Sequence, residues 1–98
     1  MTHINGQQKR KLKSIAHHIK PVVYIGKNGV SESLIAACDK SLFDHELIKV
    51  KFIGFKDEKK SFIEMLIART GSLLISITGN VAVLFRRNED PERQRIVI

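Results

Sequence analysis

The residues best arranged for chemistry are Gly26-Lys27-Asn28-Gly29. They follow a short apolar run, Val22 to Ile25, and precede a segment of helical spacing that opens on Ser31. Glycine at each end of such a turn lets a phosphate approach the backbone closely, and Lys27 adds a cation. The helix behind it presents N–H groups without intrahelical partners, which suit an anion. The turn lacks the third glycine of a dinucleotide fingerprint and the Gly-Lys-Ser/Thr ending of a P-loop, so nucleotide hydrolysis is not expected.

Charge points the same way. Seventeen Lys and Arg against ten Asp and Glu give a net +7, and the excess is unevenly placed. Residues 1–30 hold six basic residues and no acid; the first carboxylate is Glu32. Lys9, Arg10, Lys11, Lys13 and Lys20 cluster before the glycine turn, and a one-sided basic surface attracts phosphate polymers or anionic membranes. Loops of G-x-x-G form clamp nucleotide backbones in KH domains, which favours a nucleic acid.

Other chemistry is poorly provided for. His17 and His18 are adjacent and would face directions about 100° apart on a helix, while His3 and His45 are isolated, so no metal or other cofactor is expected. Cys38 shares helical spacing with Leu34 and Leu42 and reads as a small core residue rather than a nucleophile. No pair of acids is placed for acid–base work, so an enzyme with a small-molecule substrate is not expected. The basic leading segment carries no Phe or Trp with which to anchor in a membrane interface. One cysteine, a polar start and no long apolar run fit a soluble protein of the cytoplasm.

The elements that must hold the turn read as follows. Leu12, Ile15, Ala16 and Ile19 form one apolar stripe of a helix over about 7–19, stopped by Pro21. Val22 to Ile25 is a buried strand, and Ser31 caps a helix reaching about Phe43, with Glu32 in its first turn. Glu46 to Phe52 alternates as a strand. Asp57 is the expected cap of a third helix whose buried stripe is Phe62, Met65 and Leu66, closed by Gly71. Leu73 to Thr78 and Val81 to Arg87 form a hairpin through Gly79-Asn80. The order α-β-α-β-α-β-β predicts a two-layer α+β (α/β) domain with a mostly parallel sheet and a closing antiparallel hairpin. Ninety-eight residues make one domain, 1–98, with a core of about 7–87 and a polar, irregular tail 88–98. Lys49, Lys51, Ser76 and Thr78 fall on the polar phase of their strands, so one sheet face should be less covered than the other.

Several stretches together resemble the YhbY-like bacterial proteins, stand-alone copies of the CRM domain (chloroplast RNA splicing and ribosome maturation). They are Lys11-Leu12-Lys13 with Ala16-His17, Lys20-Pro21-Val22-Val23, the run Ile25 to Gly29, His45 to Lys51, Thr70-Gly71, and Gly79 followed by Val83-Leu84-Phe85-Arg86. The resemblance covers about residues 7–87. It implies a four-stranded mixed sheet of order 1-2-4-3, similar to the C-terminal domain of translation initiation factor three. It also implies a non-enzymatic RNA-binding protein that associates with precursors of the large ribosomal subunit and contacts ribosomal RNA through Gly26 to Gly29. Phe85 stands where the family often has tyrosine, and Ser31 where it often has threonine.

The expected contacts are therefore Lys9, Arg10, Lys13 and Lys20 on phosphates, Gly26, Lys27, Asn28 and Gly29 on a turn of backbone, and Lys49 and Lys51 across the open sheet face. With one tyrosine and no tryptophan, base stacking should contribute little, and RNA shape should dominate recognition. The alternative is a binder of structured RNA, such as a small RNA or intron, not tied to the ribosome. A duplex-DNA binder and a module docking on ribosomal proteins are the further rivals.

Overall fold

The structure, a computed structural model, describes residues 3–54 and 57–98. The first helix, α1, spans Gly6–Ala16 and begins at a reciprocal cap. The Asn5 side chain accepts from the Gln8 backbone N–H at 2.8 Å, and the Gln8 side chain accepts from the Asn5 N–H at 2.9 Å. It ends at Ala16, earlier than Pro21 alone would require, because His17 and His18 donate to Ser14 and Ile15 in tight terminal turns. Strand β1 is Val23–Ile25, helix α2 is Glu32–His45 and strand β2 is Leu47–Phe52. Helix α3 is Lys59–Thr70, followed by β3 at Leu73–Thr78 and β4 at Val81–Phe85.

The sheet order is β1-β2-β4-β3. Only β1 and β2 pair in parallel; β4 runs antiparallel to both β2 and β3. The sheet is thus mixed, with the 1-2-4-3 order that the family resemblance implies, because the Gly79-Asn80 hairpin folds the single reversed strand β4 back into the gap between β2 and β3. Gly79 takes φ +58 there, a value that suits glycine.

Two cores cover the two faces. Helices α2 and α3 bury Ile35, Cys38, Leu42, Ile63 and Leu66 against Val23, Ile25, Ile48, Val50, Phe52, Ala82 and Leu84. On the opposite face α1 lays Leu12 and Ala16 over Leu47, Ile75, Val83 and Phe85. Helix α1 therefore adds a partial third layer to the expected two, and it is short enough to leave half of that face uncovered. In α3 the buried residues are Ile63, Leu66 and Thr70, whereas Met65 is 45% exposed and Phe62 only partly covered. The apolar positions of that segment admit two stripes, and packing against α2 selects the one through Ile63. Its N-cap is Glu58, with no side-chain cap bond, rather than the expected Asp57.

The tail departs most from an irregular end. Glu46 caps α2 at φ 65, is fully buried, and turns its carboxylate on residues 88–96. Oε2 accepts from the Asn88 N–H at 2.7 Å, and Oε1 accepts from the N–H groups of Arg95 and Ile96. Ile96 and Ile98 then pack against the α1 core, Ile96 beside Ile15 and Ile19.

Candidate nucleic-acid interface

The Gly26 to Gly29 turn closes through a 3.0 Å bond from the Gly29 N–H to the Gly26 carbonyl, which projects Lys27 and Asn28 into solvent. Its two glycines answer different demands. Gly29 sits at φ +66, and a Cβ there would come 3.0 Å from the Phe62 ring, so the fold itself excludes a side chain. Gly26 lies outside the left-handed region, and a Cβ there meets nothing within 4 Å. The fold makes no demand for glycine at 26.

Helix α2 starts directly behind the turn. The Ser31 hydroxyl accepts from the Leu34 N–H at 3.2 Å, and the Ser31 carbonyl takes the first helical bond from Ile35. The N–H groups of Glu32 and Ser33 belong to the helix end that has no intrahelical acceptor. Glu32 brings a negative charge to that end, but Arg69 holds it in a bidentate pair at 3.0 and 2.8 Å. That hydrogen-bonded guanidinium, aided by its charge, keeps the Glu32 carboxyl below its usual range. A shallow groove between turn, helix start and β1 is lined by Tyr24, Gly26, Lys27, Asn28, Ser31 and Ser33, among others, with no carboxylate.

The half of the sheet left bare by α1 forms a second basic region. Cross-strand pairing sets Tyr24, Lys51, Val81 and Thr78 in one row, and Lys49, Val83 and Ser76 in the next. Ser76 and Thr78 reach this face because the β3 register shifts between Leu74 and Ser76, while Ile75, at the irregularity, is buried in the α1 core on the same side. Along the flank of α1, Lys13 and His17 line a cleft with Lys49, Ser76 and Thr78, again without an acid.

The structure thus brings together Gly26, Lys27, Asn28 and Gly29 at one site and Lys13 with Lys49 at another, with Lys51 beside Tyr24. It does not bring Lys20 to either; that residue borders a separate cleft with Ile19, His45 and Arg95 near the tail. Lys9 and Arg10 are exposed on α1 but line neither groove. Among the described residues, none of these basic side chains takes an ion pair. The pairs fall elsewhere, on Lys40–Asp44, Arg69–Glu32, Arg86–Asp39, Arg87–Glu46 and Arg93–Asp90. Among the described residues the lysines before and within the turn are thus left without a carboxylate partner, while Arg69, Arg86, Arg87 and Arg93 of the second half pair within the fold.

Arg86 shows that division most clearly. It donates to the Asp39 carboxylate at 2.6 Å, the Asp39 carbonyl at 2.9 Å and the Thr70 carbonyl at 2.8 Å, tying the end of β4 to α2 and α3. Cys38 lies fully buried, and burial pushes its thiol up to about 11 against the opposing pull of Arg86. A neutral, covered thiol is no nucleophile. Among the described residues no group of His, Cys, Asp and Glu is gathered to hold a metal ion, and no helix is long and apolar enough to cross a membrane.

Residues 4–86 match the CRS1 / YhbY (CRM) domain. The chain belongs to that family. This CRM domain is 38% identical over 88 residues to a protein of Pseudomonas aeruginosa named as a probable RNA-binding protein, with 89% of this chain and 85% of the relative covered. It is 37% identical over 95 residues to an RNA-binding protein of Haemophilus influenzae, with 96% of each covered. Its fold matches the solution structure of a hypothetical protein from Staphylococcus aureus with a TM-score of 0.78 at 35% identity, over 97% of this chain and 100% of the other. The relatives carry RNA-binding names and not the names of enzymes.

Proposed function

We propose that this CRM-domain protein binds RNA, and that its RNA is ribosomal RNA in precursors of the large subunit, met in the cytoplasm during assembly. The names of its relatives support RNA as the ligand class. The observation that carries the reading is a basic surface whose side chains, among the described residues, take no ion pair. Lys27 stands beside a turn with open backbone at Gly26, and Lys13, Lys49 and Lys51 continue the charge, with no acid lining either groove. A turn of phosphate backbone would sit on Gly26 to Gly29 and the α2 start, and Lys9, Arg10 and Lys13 would supply further phosphate contacts along α1, with Lys20 left on the separate flank beside His45 and Arg95. Such contacts release counterions, so binding must weaken as salt rises.

The test is sedimentation of a cell lysate on a sucrose gradient in low and high salt, probing for this protein. Migration with large-subunit precursors in low salt, released in high salt, is the expected result. Recovery only at the top of the low-salt gradient would overturn the ribosomal reading. RNA binding retained in that case would favour structured RNA outside the ribosome.

A further inference from the structure

The bare half of the sheet carries an aromatic ring where a lone basic patch would not need one. Tyr24 is the middle residue of β1, a three-residue strand whose neighbours Val23 and Ile25 are buried, yet its own side chain is 52% exposed. A long hydrogen bond of 3.4 Å from its hydroxyl to the Pro21 carbonyl tethers the ring at its far end. The same residue lines the groove of the Gly26 to Gly29 turn and pairs across the sheet with Lys51. It stands at the junction of the two basic regions.

We propose that the open face is a second RNA subsite, which stacks one unpaired base on Tyr24 and runs the adjoining strand over Lys51 and Lys49 toward Lys13 and His17. The inference rests on the RNA reading above and specifies its substrate: RNA with a single-stranded segment next to the backbone held by the turn. Chemistry favours this occupant over a protein or a membrane. The row Tyr24, Lys51, Val81, Thr78 and the cleft of Lys13, His17, Lys49, Ser76 and Thr78 offer cations, hydroxyls and one ring, and no carboxylate. An anionic chain with flat bases satisfies all three. Neighbouring strands lie about 4.8 Å apart, so the row from Tyr24 to Thr78 spans roughly 14 Å, enough for a short run of strand rather than one group. Every base has a face to stack, so this subsite would read single-strandedness, not sequence.

Tyr24 is the protein's one tyrosine and there is no tryptophan, so tyrosine emission reports this ring alone. The experiment titrates the full chain with a short single-stranded oligoadenylate and, separately, with an RNA duplex of equal length. It uses the natural protein, Tyr24→Phe and Tyr24→Leu, reading affinity for all three and Tyr24 emission for the first. Quenching by the single strand, near-natural affinity of Tyr24→Phe and about a tenfold loss for Tyr24→Leu on the single strand, with little change on duplex, is the expected pattern. Salt-sensitive binding of either RNA with unquenched emission and an unchanged Tyr24→Leu affinity would overturn the stacking subsite and leave the RNA reading standing. Failure of the natural protein to bind either RNA would overturn both. Thermal melting of Tyr24→Leu, whose side chain is not part of either core, separates a missing stacking partner from a damaged fold.

Discussion

Replacing the two turn glycines one at a time separates what the fold needs from what a ligand would need. Gly29→Ala meets two costs. A non-glycine residue in the left-handed region costs about 1–2 kcal/mol. The new Cβ would also stand 3.0 and 3.2 Å from two atoms of the Phe62 ring, tighter than ordinary contact. Phe62 is only partly buried and can yield, so crowding adds at the low end of the roughly 1–3 kcal/mol seen for overpacking. A total of about 2–3 kcal/mol lowers the melting temperature of a domain this size by roughly 8–24 °C. Gly26→Ala meets neither cost. It narrows the unfolded ensemble instead, so its melting temperature should hold or rise slightly. Its RNA affinity should nevertheless fall, because the methyl group occupies the space through which a phosphate approaches the backbone. Calorimetric melting and an RNA titration of both variants decide the matter. An unshifted melting temperature for Gly29→Ala would refute backbone strain and crowding at that position. Full RNA affinity for Gly26→Ala would refute close backbone approach at that end of the turn.

Two further outcomes follow from the buried groups. Glu46→Gln leaves one acceptor oxygen where two now serve three backbone N–H groups, and it removes the charge that strengthens them. It should cost about 2–4 kcal/mol and open residues 94–98 to hydrogen exchange; unchanged protection there would mean the tail is held by Ile96 and Ile98 alone. Cys38 should resist maleimide in the folded protein near neutral pH and react on unfolding. Its thiol is raised from 9.0 to about 11, so the folded state holds a proton that the unfolded chain releases in that interval. Stability should therefore fall as pH rises between those values, and Cys38→Ser should lessen the fall; an equal decline in both would assign it to other groups.

Much of the fold is legible in the sequence because it follows from local rules. The turn at 26–29, the Ser31 cap, the left-handed Gly71 and the phase of β2 are of this kind, and the structure keeps all of them. What escapes a reading of the sequence depends on contacts between distant segments. The buried stripe of α3 passes through Ile63 because α2 packs there, and periodicity alone favours Phe62 and Met65 equally well. Glu46 reads as an ordinary strand-edge acid until the tail arrives, some 40 residues later, to donate three N–H groups to it. Tyr24 sits in a run whose composition predicts burial on both faces. It is exposed because α1 ends at Ala16 and does not extend across β1. Lys20, grouped with the phosphate contacts by its place in the chain, is carried to the other flank by the turn after α1.

Phosphate contacts at the Gly26 to Gly29 turn are proposed to hold the RNA. The most direct measurement is the salt dependence of RNA affinity for the natural protein beside Lys27→Asp with Asn28→Asp. Both side chains are exposed and remote from the cores, so melting should be nearly unchanged. The natural protein should lose affinity steeply as salt rises. The double variant should bind more weakly and with a shallower dependence, by about 0.7–0.9 in logarithmic slope for each phosphate it no longer neutralises. Equal affinity and equal slope for the two proteins would contradict a role for the turn in holding RNA.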